Sequence, residues 1–248
     1  MRKNLFFLLA ALVAWATIPA VAGAQSGGFY LTPKLGVNYF SSNNILHDGG
    51  TDYSYRDGKL RFSGALAIGY DFSDTGAPLR TELEYTIRSA QKTEHNFIDT
   101  SRNPFRIGHK LKVDTLMANL YYDFENDTIV TPYIGAGLGL AFVDGKNTYA
   151  SNWATGLGFG ELNGGNSSRK FAWDAAAGLA WDITDNMALD LGYRYFNIHK
   201  VQTGRVEGHS PLLSSLGLPS FISNQNFSTE SKNVNLHEVM LGLRISYY

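Results

Sequence analysis

Cysteine is absent from all 248 residues. Neither disulfide bracing nor lipoprotein processing through a lipidated cysteine is open to this chain. Positive charge is not in excess either: 21 Lys and Arg stand against 22 Asp and Glu, for a formal net charge of −1. That balance argues against nucleic acid as a partner. Beyond the first 24 positions no stretch approaches the roughly 18 consecutive apolar residues of a membrane helix. Ile134–Val143 comes nearest, and it is short and half glycine and alanine. Metal-ligand spacing is missing as well. His47, His95, His109, His199 and His209 are scattered through long polar connections, and His237 stands apart near the end. No metal and no cofactor is expected.

Met1–Ala24 reads as an export signal. Arg2 and Lys3 form its positive start, Leu5–Ala14 its apolar stretch, and Ala22-Gly23-Ala24 a small-residue cleavage site. Cleavage after Ala24 leaves residues 25–248 as the mature domain. Loss of Arg2 and Lys3 then takes the formal charge from −1 to −3.

What the mature chain has is alternation. Over 79–90, Leu79, Thr81, Leu83, Tyr85 and Ile87 share one face, and Arg80, Glu82, Glu84, Thr86 and Arg88 share the other. A period of two means a β-strand. The same pattern recurs at about 29–40, 60–72, 111–124, 130–143, 171–183, 187–196 and 234–248, making eight strands. Leu111 and Val113 are out of phase with Leu116, Leu120 and Tyr122, which predicts a bulge near Asp114. The connections alternate in length. Those at 73–78, 125–129 and 184–186 are short and rich in Asp, Asn, Gly and Thr. Those at 41–59, 91–110, 144–170 and 197–233 are long.

Strands of this length behind an export signal predict an all-β fold: a transmembrane, eight-stranded, antiparallel up-and-down barrel in the bacterial outer membrane. Short turns would lie in the periplasm and four long loops outside the cell. The polar faces separate this from a soluble barrel with a greasy interior. Tyr133, Gly135, Gly137, Gly139 and Ala141 line one strand, and Ala172, Asp174, Ala176, Gly178 and Ala180 the next. Rows of Gly and Ala weaken a water-facing strand, whereas a narrow eight-stranded lumen needs small residues opposite long ones such as Arg80 and Glu82. Tyr70, Phe72, Tyr122, Phe124, Trp181 and Tyr247 fall beside the short turns or the terminus, where a headgroup-level girdle belongs.

Three phrases carry a family look: Thr131-Pro132-Tyr133-Ile134-Gly135-Ala136-Gly137-Leu138-Gly139, Leu191-Gly192-Tyr193-Arg194-Tyr195-Phe196 and Leu241-Gly242-Leu243-Arg244-Ile245-Ser246-Tyr247. Together they resemble the small outer-membrane β-barrel superfamily of opacity-type surface proteins and related bacterial surface antigens, akin to the OmpA and OmpX barrels. The resemblance implies a C-terminal aromatic read by the barrel-assembly machinery. Leu241, Leu243, Ile245 and Tyr247 are in phase for that signal, with Tyr248 as an overhang. It also implies a non-enzymatic surface antigen or adhesin, with a small porin-like channel or an outer-membrane hydrolase as the alternatives.

Candidate chemistry divides between lumen and loops. Arg80, Glu82, Glu84, Arg88, Asp190, Arg194, Glu238 and Arg244 have inward parity, and mutual neutralisation as a plug is the reading preferred over an ion path or a catalytic carboxylate pair. In the loops, Arg102, Phe105 and Arg106 combine charge with aromatic surface suited to sulfated glycans or lipopolysaccharide phosphates. Trp153 sits in a Gly, Asn and Ser background like that of adaptable binding surfaces. Leu212 and Leu213 head an apolar run that either meets a partner or folds over the barrel mouth. The expected partners are outer-membrane lipid and lipopolysaccharide, the assembly machinery, and host or matrix ligands.

Overall fold

The computed structural model describes residues 27–48, 51–98, 104–151, 160–206 and 227–247. The leader Met1–Ala24 lies outside them. Nine strands run in chain order: β1 (Phe29–Asp48), β2 (Thr51–Asp71), β3 (Leu79–Arg88), β4 (Gln91–Ile98), β5 (Pro104–Asp123), β6 (Val130–Ser151), β7 (Gly160–Thr184), β8 (Met187–Val206) and β9 (Phe227–Tyr247). Each pairs antiparallel with its neighbours, β9 returns to β1, and β3 pairs with both β2 and β5. The sheet is therefore closed. β3 and β4 are two lengths of one stave, so the barrel has eight.

The break in that stave explains the phase change expected at Asp114. β5 pairs with β6 from Phe105 to Asp123 without a register shift. Leu111, Val113, Thr115 and Met117 are all buried, on one inward face. The irregularity lies on the partner instead. Thr86 pairs with Thr115 and Gln91 with Leu111, so five steps on one stave match four on the other. Arg88 and Gln91 both point inward although they stand three positions apart. The extra residue at Ser89-Ala90 is the bulge, and Asp114 accepts a hydrogen bond from the Arg88 amide beside it at 3.3 Å.

Face assignment follows the alternation. Leu35, Phe62, Ile68, Leu83, Leu120, Leu138, Leu179 and Leu241 are exposed on the outer wall, whereas Thr32, Ala67, Glu84, Ala172 and Glu238 are sealed inside. A wall this greasy is stable only where lipid replaces water. Aromatic rings pair along the short-turn rim, Phe29 with Tyr70 at 5.0 Å, Tyr70 with Phe72 at 4.8 Å and Tyr122 with Phe124 at 5.1 Å between centroids. The turn after β2 closes with Gly76 at φ 75°, a left-handed position that favours glycine.

Glycines on β6 and β7 do make room, but for nearer neighbours than the facing wall. A Cβ at Gly135 would come within 2.3 Å of the Tyr121 ring, and one at Gly178 within 2.5 Å of Tyr133. The lumen is crowded by its own tyrosines.

The strands are longer than the alternation indicated. Much of 41–59, 91–110, 144–170 and 197–233 is not loop. Paired backbone continues to Asp48↔Thr51, Ile98↔Pro104, Ser151↔Gly160 and Val206↔Phe227. A strand crosses the hydrocarbon in about 9–11 residues. Staves of 20–25 residues, such as β1 and β7, therefore extend well past the lipid.

Candidate functional site

The barrel interior is built in three tiers. Nearest the short turns, Arg80 on β3 donates to Asp123 on β5 through Nε at 2.5 Å and through a terminal nitrogen at 2.8 Å. Its guanidinium lies 5.2 Å from the Tyr121 centroid and 5.1 Å from that of Tyr133, so two rings clamp the cation. Arg244 faces Asp190 at 3.9 Å in the same tier.

The middle tier is a continuous ion network. Lys34 on β1 donates to Glu82 at 2.6 Å and Glu84 at 2.8 Å. Arg194 on β8 reaches Glu84 at 2.7 Å, Glu238 at 3.1 Å and Asp174 at 3.7 Å. Arg88 grips Glu238 with two bonds, 3.2 and 3.0 Å, and donates to the Thr115 hydroxyl at 3.0 Å. Thr86 adds a 2.7 Å bond to Glu84. Charges this deep survive only when each finds a partner; here each has an opposite charge within 4 Å, while Asp174 Oδ2 and Arg194 Nε make no hydrogen bond.

Above them the lumen turns apolar. Leu111, Val113, Met117, Ala141, Val143, Ala172, Phe196, Ile198, Val234 and Leu236 form one buried cluster toward the long-loop end. Arg88 lies 5.1 Å from the Phe196 centroid, joining the two tiers. Between Lys34, Arg80, Glu82, Tyr121, Tyr133 and Arg194 a cavity of about 30 Å³ remains, room for one or two waters.

Of the eight lumenal residues singled out from the sequence, seven are buried inside the barrel and Arg244 is half-buried; six lie in short ion pairs, and Arg244 and Asp190 form the loosest pair at 3.9 Å. Sequence reasoning left Lys34, Asp123 and Asp174 out of the network. Lys34 and Asp174 have inward parity that could have found them, whereas Asp123 sits at a strand end where parity says little. The apolar tier was missed too. Its signal was a change of phase: Phe196, Ile198, Val234 and Leu236 are apolar residues on the inward parity.

Leu241 and Tyr247 are exposed on the outer wall of β9, with Leu243 and Ile245 half-buried between them. Tyr247 pairs with Phe29 in the closing seam. Among the loop candidates, Phe105 and Arg106 fall within β5, opposite Phe97 and Asn96. Arg102, Trp153, Leu212 and Leu213 lie outside the described residues. Of the histidines, His237 is on the outer wall, where its Nδ1 and the Tyr193 hydroxyl share a 2.7 Å hydrogen bond and the Tyr195 ring packs at 5.3 Å. No cluster of His, Asp and Glu among the described residues has the form of a metal site.

A closed eight-stave barrel, greasy outside and ion-paired within, fits one family by sequence. Residues 7–214 match the outer membrane protein beta-barrel domain. The chain belongs to that family. Outer membrane protein PagN of Salmonella typhimurium is 36% identical over 82% of this chain and 87% of its own. Outer membrane protein P.IIC of Neisseria gonorrhoeae is 26% identical over 75% of this chain and 70% of its own. A Rickettsia canadensis protein named provisionally as an adhesin is 27% identical over 83% and 88%. Among solved structures, the outer membrane protein OprG of Pseudomonas aeruginosa superposes with a TM-score of 0.51 at 14% identity, covering 90% of this chain and 98% of that one. The fold and the outer-membrane location are those of the beta-barrel domain family, and the resemblance to opacity-type surface proteins holds.

Proposed function

We propose that this barrel is a non-enzymatic scaffold that presents four strand-braced loops at the cell surface, as a surface antigen or adhesin toward host or matrix ligands. The observation that carries the reading is the blocked lumen. Two charged tiers and an apolar tier cross the lumen among the described residues, and the cavity enclosed between Lys34, Arg80, Glu82 and Arg194 measures about 30 Å³, too small for a solute path. With the interior committed to packing, the surface left for recognition is the outer end. Four hairpins continue there as paired strands up to Asp48↔Thr51, Ile98↔Pro104, Ser151↔Gly160 and Val206↔Phe227. Relatives with surface-protein names support the same reading.

Replacing all four tips by short turns, on cells and with the staves intact, tests it. Adhesion to host cells or matrix is expected to fall while envelope integrity holds, and unchanged adhesion would refute the scaffold reading. Purified protein in planar bilayers is expected to stay silent. Stepwise conductance would favour the small channel, and hydrolysis of lipid A or peptide lost with one His or Glu would favour the hydrolase.

A further inference from the structure

The strand register sets three lysines side by side on the outside of the barrel. Lys92 on β4 stands opposite Lys110 on β5, and Lys110 opposite Lys146 on β6. Neighbouring strands lie about 4.8 Å apart, and like charges directly opposite one another destabilise a sheet. All three point away from the lumen, because their chain neighbours Gln91, Leu111 and Gly145 are the buried ones.

The surroundings place this row against the outer leaflet. Six residues down β6, Leu140 is in register with Leu116 and Phe171, and these three exposed side chains form the upper edge of the greasy wall. At a strand tilt near 40° the lysine row stands ~15 Å above that edge. In between, Arg169 lies over the Phe142 ring at 5.9 Å, and Lys112 is paired with Asp114 and in register with Asp144. Glu94 shares the outer face of β4 with Lys92. Among the described side chains of this face, five cations thus meet three carboxylates.

Charge along the barrel axis is lopsided in the same sense. The short turns at 73–78, 125–129 and 184–186 carry Asp74, Glu125, Asp127 and Asp185, with no Lys or Arg. The cations of the outer wall gather at the opposite rim, facing the leaflet whose glycolipid bears phosphate.

We propose that the Lys92–Lys110–Lys146 row, with Arg169 beneath it, is a docking site for the phosphate groups of lipopolysaccharide. Acyl chains lie against Leu116, Leu140 and Phe171. Phosphates of the lipid anchor meet Arg169, and those of the inner sugars meet the lysines, whose flexible stems reach down the wall. The site faces sideways into the leaflet and is continuous with the apolar wall, which favours an anchored glycolipid over a soluble sulfated glycan arriving from above. This inference rests on the outer-membrane location and not on what the loops bind.

Binding of the full mature barrel in detergent to purified lipopolysaccharide tests it, with heat-modifiable gel migration reporting the fold. The triple variant Lys92→Gln, Lys110→Gln, Lys146→Gln is expected to bind ~10–100-fold more weakly at low salt. Lipopolysaccharide stripped of phosphate should bind the unaltered barrel as weakly as the intact glycolipid binds the triple variant. Asp144→Asn, which removes an anion from the same face, should bind more tightly. Should the triple variant not fold, Arg169→Gln and Asp144→Asn moving affinity in opposite directions carries the test. Affinity within twofold for the triple variant, or no dependence on phosphate, would overturn the site. Displacement of lipopolysaccharide by a heparin oligosaccharide that binds the row as tightly would assign it to sulfated glycans instead. Because every loop tip is intact in these variants, cell adhesion is read separately.

Discussion

Glu238→Gln is the most exacting test of the lumenal network. The substitution keeps shape and removes one negative charge from a fully buried position. Three hydrogen bonds converge there: Arg88 gives two, at 3.2 and 3.0 Å, and Arg194 gives one, at 3.1 Å. Charge-assisted bonds are worth about 1.5–3 kcal/mol each, so loss of all three would cost more than most barrels of this size can spare. The real figure is smaller, since Arg194 keeps Glu84 and the glutamine oxygen still accepts one bond. What remains is an under-compensated Arg88 in a dry lumen, and breaking a buried pair in this way costs about 3–5 kcal/mol. The assay is urea unfolding of the refolded barrel, followed by gel migration with and without heating. A second variant separates charge from shape. Arg88→Met with Glu238→Leu removes both ions, and replacing a buried pair by apolar residues is often neutral, so the double variant should recover most of the loss. A single variant costing less than about 1 kcal/mol, or a double variant no better than the single, would refute the account.

Leu83→Arg places a cation on the exposed outer wall of β3 and should cost about 2–4 kcal/mol near the midplane, read as lost folding into vesicles; normal folding would reverse the inside–outside assignment. Gly135→Val should destabilise by about 1–3 kcal/mol through overpacking, and Tyr121→Ala in the same chain should restore part of it, because that ring occupies the space above Gly135. Removal of Tyr248 should leave assembly rates in cells unchanged, while Tyr247→Ala slows assembly by opening the last row of the seam with Phe29. Equal effects of the two changes would place the terminal signal elsewhere.

Alternation revealed the strands wherever one face met lipid and the other the lumen, because only there do the two faces need opposite chemistry. Leu79–Arg88 shows it from end to end. Beyond the lipid both faces tolerate polar residues, so the outer halves of β1 and β7 carried no periodic signal and read as loop. Leu111 and Val113 misled for a related reason. An apolar inward residue looks like a phase error until the upper lumen is known to be a dry core. Lumenal charges were legible from parity, but their partners depended on barrel closure, which brings Lys34 to Glu82 and Arg80 to Asp123. The lysine row was invisible for the same cause: Lys92, Lys110 and Lys146 become neighbours only through the register.

Arg88 and Glu238 are separated by 150 positions in the chain, and Glu238 sits on the last stave to be made. Until that stave arrives, Arg88, Arg194 and Glu84 form an incomplete set of ions with no hydrophobic refuge. A truncated or half-zipped polypeptide therefore carries an electrostatic debt that only completion cancels. The ion set in the interior is therefore complete only in the closed cylinder, where burial of the lumen becomes favourable.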